Sequence, residues 1–511
     1  MAGTDDSKQR GRAFAAALTA WAAMLGASLA NFLHYQGYPL ARCEVAVVAI
    51  ILLALAAAMA ALHSAAGRGA RALAIGLLVV LAVDINADRM WLALLLGLAA
   101  AGFAWKRGGE TLKFLTLLFA VILATALAGL GGRADGVETK GRRGAANPAQ
   151  PLVVHVILDE QAGPVGLSAA DAAWLEGRYA AMGFSLYPEA YSRHYNTKNS
   201  LAELVGGRPG GGGMAQALAV KGYGARFVTQ TDHYDLCADL KPARCTTYSA
   251  SSLKPLAGQA LSAADKAQVL AYHFAGLSTI ARKIANSYDK IARRAGWATV
   301  ELRSVRKVPQ VNAVAMVPAA EAELKAARPG EYHLIHLLLP HAPFAFDERC
   351  RLLPTRDWRT ERGDAPLAER DAAYRRQMGC AAEMIDRLTA AAGKEAVVIV
   401  HGDHGSRIVA YEPWGKTAAK ASEADFKRGF ATLIAVRLPG QAARTLAGPA
   451  VLTDVLPALA RSGFTDLPAP GGERPWVNID YRGWTPVKQR RLADWKLPQS
   501  GARAPAEQQK P

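Results

Sequence analysis

The apolar residues are unevenly distributed along the chain, and almost every long uncharged run lies before residue 133. Ala13–Leu33, Val45–Leu62 and Phe114–Gly132 each offer about the 20 residues that a helix needs to cross a hydrocarbon layer of about 30 Å. Ala72–Val83 and Met90–Trp105 are shorter, separated by Asp84, Asp88 and Arg89, and reach spanning length by extending at their ends. The pattern predicts five transmembrane helices. Beyond residue 150 it changes to short apolar runs that end abruptly in polar residues: PLVVHVILDE from Pro151, EYHLIHLLLPH from Glu331, EAVVIVHGDH from Glu395 and FATLIAVRLPG from Phe430. Runs of that kind are strands buried on both faces. Helical stretches stand between them, including 262–294 and 369–391. The fold class expected is therefore an N-terminal α-helical bundle followed by an α/β domain with a mainly parallel central sheet.

The expected division is a cytoplasmic N-terminus at 1–12, a transmembrane domain at 13–132, a linker at 133–150, an extracytoplasmic catalytic domain at 151–486 and a basic, disordered tail at 487–511. Charge placement sets the orientation. With the N-terminus inside, the inner segments carry Lys8, Arg10, Arg12, Arg68, Arg71, Lys106, Arg107 and Lys113, whereas the outer loops carry Arg42 and Arg89. This follows the positive-inside rule and exports everything after the fifth span. The alternative, a cleaved signal peptide in the first run, requires a shorter apolar stretch. The expected location is a bacterial-type inner or plasma membrane, with the catalytic domain periplasmic.

Composition adds less. Sixty Lys and Arg against 43 Asp and Glu give +17, and 51% of residues are hydrophobic, which excludes a disordered chain. The excess charge suits an anionic membrane surface, and no nucleic-acid-binding motif accompanies it. Of five cysteines, Cys237 with Cys245 and Cys350 with Cys380 form an even set in the exported part, either as two local disulfides or as free buried thiols. The basic stretch 262–297 reads as a helix on the membrane or as an ordinary amphipathic surface helix.

Candidate chemistry gathers at strand ends, where parallel sheets place their ligands. Asp159 and Glu160, His341, and Asp403 and His404 close three separate strands. A single strand-end Asp is often only a helix cap, but carboxylates and imidazoles from three strands suit one divalent cation, zinc or manganese. The segment SRHYNTKNSLAELVGG supplies hydroxyls beside it, at Ser192, Thr197 and Ser200. A hydroxyl near a divalent cation loses its proton more readily and becomes a nucleophile. Chemistry alone does not separate Thr197 from Ser200. Arg193, Lys198 and Arg208 flank them as possible phosphate partners. His155, His333 and His401 read as residues packed in or facing away from the site, and His194 as a solvated loop residue.

These pieces, taken in order, resemble the sulfatase-like branch of the alkaline phosphatase superfamily. They are Leu158–Glu160, Thr197-x-x-Ser200 with Leu204 and Gly207, His336-x-x-x-x-His341-x-Pro343, Gly402–Gly405, Pro439-Gly440 and Asp454–Pro457. Sulfatases place a modified cysteine where Thr197 stands, and an arginine where Leu201 stands. A threonine nucleophile behind five spans is similar to the membrane phosphoethanolamine transferases and lipoteichoic-acid synthases. The resemblance implies that Asp159, Glu160, Thr197, Asp403 and His404 hold one metal ion. It implies that Thr197 is the nucleophile and that His341 protonates the leaving oxygen. His336, Ser200, Lys198 and Arg193 would bind substrate. The partners implied are a phospholipid donor and an envelope glycan or lipid acceptor. Two departures stand out: no histidine follows His404, and Asp159 occupies a position where those enzymes carry Glu. A phosphodiesterase or sulfatase, and a scaffold with an inactive site, are the other readings.

Overall fold

The computed structural model describes residues 2–87, 89–107, 109–128, 137–142, 146–205, 213–231, 235–295, 308–362, 365–471, 475–482 and 485–492. The chain divides into two units.

The first unit contains the five apolar helices: α1 (Ala2–Tyr35), α2 (Cys43–Ala65), α3 (Arg68–Ala87), α4 (Met90–Arg107) and α5 (Gly109–Leu127). All five are long and apolar enough to cross a membrane. α1 packs on α2 and α5, and α3 packs on α4. The interior is built from Trp21, Met24, Ala56, Ala60, Leu112 and Phe119, whereas Ile50, Leu62, Leu73, Leu98, Phe114 and Leu117 face outward. An apolar exterior over an apolar interior is what a lipid solvent requires. A Cβ added at Gly76 would stand 2.7 Å from the Gly97 carbonyl oxygen, so α3 and α4 meet backbone to backbone there.

Residues Ser252–Val308 and Pro354–Asp357 belong to this unit as well, although the sequence pattern assigns them to one continuous domain from 151 to 486. They include α7 (Ala263–Leu277) and α8 (Thr279–Arg294), which follow α6 (Thr197–Val205) in the chain. α7 starts at a cap, with Ser262 Oγ accepting from Asp265 N at 3.1 Å. It buries Leu270 and Phe274, the latter edge-on against Phe32 of α1 with ring centroids 5.7 Å apart. Helical periodicity announces an apolar face but not which partner covers it, and here the partner is the span bundle.

The second unit is built on an eight-stranded sheet: β1 (Val137–Gly141), β2 (Val153–Leu158), β3 (Ser185–Leu186), β4 (Gly224–Thr231), β5 (Arg244–Ser249), β6 (Glu331–Leu337), β7 (Val397–Gly402) and β8 (Ile434–Arg437). Their spatial order is β1-β5-β4-β6-β2-β7-β8-β3. The five central strands are parallel, and β1, β8 and β3 pair antiparallel at the edges. β2, β6 and β7 are buried along their whole length. β1 lies inside the stretch expected as a linker. Its five residues are all exposed, so backbone pairing with β5 rather than side-chain burial forms it, which hydropathy does not register. β9 (Trp476–Arg482) and β10 (Thr485–Arg491) form a hairpin, so the first residues of the expected tail are ordered; 493–511 lie outside the described residues. Both cysteine pairs are disulfides, and Cys43 is free.

Candidate active site and metal centre

β2 lies between β6 and β7, with Leu158 paired to both Leu337 and Gly402. Three parallel strands in that register end side by side, so Asp159 and Asp403 leave the sheet as neighbours. His336 sits in β6, and His341 follows on the loop beyond it. Glu160 is held at φ 63°, in the left-handed region where a side chain is unfavourable. Its N–H donates to Asp403 Oδ1 at 2.9 Å, and His404 N–H donates to the same oxygen at 2.9 Å. That leaves Asp403 Oδ2 with no hydrogen-bond partner among the described residues.

Two overlapping groups result. Ligand atoms of Asp159, Asp403 and His404 lie within 4.8 Å of one another, and so do those of Asp159, Glu160 and His341. Thr197 opens α6 with its hydroxyl 3.4 Å and 3.5 Å from the two Asp159 oxygens. The helix N-terminus beneath it favours negative charge nearby. His336 Nε2 stands 3.9 Å from Asp159 Oδ2, and neither of its ring nitrogens has a hydrogen bond among the described residues. His341 passes Nδ1–H to the Ala342 carbonyl, which leaves Nε2 3.6 Å from Glu160 Oε1.

The ionisation of these groups follows from burial. Burial and then the Asp403 carboxylate push Asp159 well above the usual carboxylate range. Burial also acts against Asp403, but His404, the Glu160 N–H and the Thr197 hydroxyl outweigh it and bring that carboxyl down. One ionised and one protonated acid is how two crowded carboxylates settle without a cation. Burial lowers His336 to about 4 and lowers His404, so both imidazoles are neutral with a lone pair to offer. For His341, Glu160 and Asp159 overcome burial and raise the ring to about 9.

The donor set fits a divalent cation. The buried Asp403 Oδ2, without a hydrogen-bond partner among the described residues, is costly in a finished core, and a cation beside Asp159, Asp403 and His404 removes that cost. Asp159, Thr197, Asp403 and His404 are placed to hold it. Glu160 is held otherwise: Arg407 Nη1 is 3.1 Å from its Oε1, and Arg407 Nη2 is 3.2 Å from His404 Nε2. Glu160 and Asp159 hold Arg407 firmly protonated despite its burial.

The guanidinium at the centre is therefore that of Arg407, not that of Arg193, which is ion-paired with Asp454 at 3.1 Å. Ser200 gives its hydroxyl to the Asp403 carbonyl and lies 3.2 Å from Ser192 Oγ. It fixes the strand end, and Thr197 is the hydroxyl left facing the carboxylates. Lys198 is exposed; Arg208 and Gly207 lie outside the described residues. His194 is buried rather than solvated, between Tyr481 at 2.8 Å and Glu203.

Sequence reasoning missed Arg407, Gln377 and Tyr374. Gln377, in α9 (Leu367–Ala392), donates to the carbonyls of Pro340, His341 and Pro343 at 3.0, 2.8 and 3.2 Å and accepts from Ala345 N at 2.8 Å. Tyr374, one turn earlier, donates to the Glu160 carbonyl at 2.6 Å. One helix thus pins both the His341 loop and the end of β2. A Gln inside a helix gives no local sequence signal of such a task.

His155 and His401 lie deeper in the sheet. His401 Nδ1–H donates to the Gly402 carbonyl at 2.8 Å, so its Nε2 accepts from His155 Nε2–H at 2.7 Å. His155 Nδ1 then accepts from Tyr332 OH at 2.7 Å. Burial pushes both rings down. They form a neutral, satisfied core chain.

No family model matches the chain, and no curated protein matches it. Solved structures to which it is similar include lipoteichoic acid synthase LtaP from Listeria monocytogenes, with 13% identity over 64% of this chain and 76% of that one and a TM-score of 0.36. A phosphonate monoester hydrolase from Silicibacter pomeroyi shows 13% identity, covering 62% and 74%, with a TM-score of 0.35. A protein in the alkaline phosphatase superfamily from Vibrio parahaemolyticus shows 11% identity, covering 67% and 76%, with a TM-score of 0.36. Likenesses at this level concern the fold, and the chemistry is read from this chain's own residues.

Proposed function

We propose that the chain is a membrane-anchored, metal-dependent transferase. It moves a phospholipid headgroup of the phosphoethanolamine or phosphoglycerol type to a cell-envelope glycan or lipid, through a phospho-Thr197 intermediate. The observation that carries this reading is the Thr197 hydroxyl, 3.4 Å from Asp159 at the start of a helix, beside buried ligand atoms that lack partners.

With Asp159 ionised, as it would be beside a bound cation, Thr197 Oγ1 attacks phosphorus and passes its proton to that carboxylate. The bond from phosphorus to the glycerol oxygen breaks, and His341 Nε2, directed by its Nδ1 contact, protonates that oxygen so that diacylglycerol leaves. The headgroup phosphate remains on Thr197. In the second step an acceptor hydroxyl loses its proton to His341 and attacks the same phosphorus, and Thr197 Oγ1 recovers its proton from Asp159. A bound zinc or manganese ion would supply the positive charge that eases Thr197 deprotonation and offsets charge on the phosphoryl oxygens. Arg407 holds Glu160 apart from that charge, which supports a single ion. Attachment to five spans raises the effective concentration of a lipid donor.

Purified full-length protein incubated with labelled phosphatidylethanolamine or phosphatidylglycerol tests this. A headgroup-sized mass on the Thr197 peptide, lost in Thr197→Ala, is the expected result. An unmodified Thr197 with full turnover sinks the mechanism. Release of the headgroup to water in the presence of acceptor would identify a phosphodiesterase instead.

A further inference from the structure

α8 combines two exposed isoleucines with a strongly basic sequence. Ile284 is 65% exposed and Ile291 is 59% exposed; seven residues apart, they share one face of the helix. Between Thr279 and Arg294 the chain carries Arg282, Lys283, Lys290, Arg293 and Arg294 against Asp289 alone. Large exposed apolar side chains on a helix of so basic a sequence fit neither a core helix nor an ordinary solvated one.

The location is set by contacts within the first unit. Ser278 Oγ donates to Asp84 Oδ2 at 2.6 Å, and Ile280 N donates to the same oxygen at 3.1 Å. A carboxylate near the C-terminal end of α3 thus anchors the start of α8. The preceding segment is tied to the loop between α1 and α2: Leu253 N donates to Gln36 Oε1 at 3.2 Å, and Arg42 Nη2 donates to the Ala257 carbonyl at 2.7 Å. In five successive crossings, the end of α1, the start of α2, the end of α3 and the end of α5 share one side of the membrane. α8 is therefore fastened at the end of a span, where the apolar helix α3 gives way to a polar loop.

We propose that α8 lies in the headgroup layer of an anionic bilayer on the side where α5 ends, with Ile284 and Ile291 entering the hydrocarbon and the net positive charge of its sequence drawing it to lipid phosphates. Two features select lipid over another protein. The helix with the exposed apolar face is tethered at the end of a span, where headgroups begin, and the positive charge of its sequence complements anionic headgroups. Asp84 acts as the tether that fixes the depth of α8. The inference rests on α1–α5 crossing a membrane and is independent of the chemistry at Thr197.

The test uses the full chain in nanodiscs, with Cys43→Ser to remove the free thiol and a single fluorescent label at Ile284→Cys or Ile291→Cys. The reference label is at Val220→Cys, a position 84% exposed in the second unit. Lipid-borne nitroxide should quench the α8 labels at least about twofold more than the reference, while aqueous iodide quenches them less. Moving from phosphatidylcholine alone to a mixture with phosphatidylglycerol should deepen the lipid quenching. Labels quenched by iodide like the reference overturn the proposal. So do labels shielded from both quenchers, which would show a second copy or another protein covering the face. Quenching that ignores lipid charge overturns the assignment of the basic residues.

Discussion

The two ends of β6 hold the same residue types in opposite states. At its start, Glu331 is buried and satisfied: Arg226 Nη2 lies at 2.6 Å, His333 Nε2 at 3.1 Å and Arg328 N at 3.2 Å. Toward its other end, among the described residues, Asp403 Oδ2 and both ring nitrogens of His336 have no hydrogen bond. The side chains at both ends are buried, and the difference lies in satisfaction. A closed network stabilises the sheet, whereas an open one is tolerated when a ligand completes it. Histidine and carboxylate alone do not mark a site; their unfilled valence does.

The largest effect is expected from metal removal. Chelation should abolish turnover, with zinc or manganese restoring it, and should lower the apparent Tm by about 5 °C, because a ligand bound to the folded state stabilises it. Unchanged melting and activity would make the open end an ordinary strained core. His341→Ala should then cost about 10²–10⁴-fold in kcat, the usual contribution of a positioned acid, with melting unchanged. Gln377→Leu should cost about tenfold or more in kcat through the displaced His341 loop, and added to His341→Ala it should bring little further loss. Additive losses would separate Gln377 from His341.

Glu331→Gln probes the closed end. It should destabilise the second unit by about 3 kcal/mol, since it leaves the Arg226 cation buried without its partner, while folded protein keeps its kcat. The sign of the pH effect follows. Burial raises the Glu331 carboxyl, but His333 and Arg226 outweigh it and hold it below its ordinary value. Its stabilisation is complete above the unfolded pKa of about 4.3 and fades as pH falls through the lower folded value. Glu331→Gln should therefore show a shallower loss of Tm on acidification than the parent. Parallel curves would place the acid sensitivity elsewhere.

Much of the site was legible because strand ends carry their chemistry in contiguous residues. LDE at Leu158–Glu160 and GDHG at Gly402–Gly405 end fully buried strands, and once those strands are parallel neighbours their ends must converge. What was not legible came through space. Arg407 sits three residues past His404, in a loop whose path no periodicity encodes, and reaches Glu160 across 247 positions of chain. Gln377 and Tyr374 act from a helix whose pattern records only that one face is buried. Arg193 sits four residues from Thr197 in sequence, yet its guanidinium is committed to Asp454. Proximity along the chain misled there because side-chain direction is set by the turn before α6.

The sequence alone determined the five apolar helices, the alternating α/β order and the strand-end acids, because hydrophobic run length and residue type act locally and need no partner to be read. Tertiary structure decided which carboxylates were left unsatisfied, which hydroxyl faced them and which helices joined the spans rather than the sheet. Those outcomes depend on what each buried face or polar atom meets, and such partners are chosen only when distant segments pack.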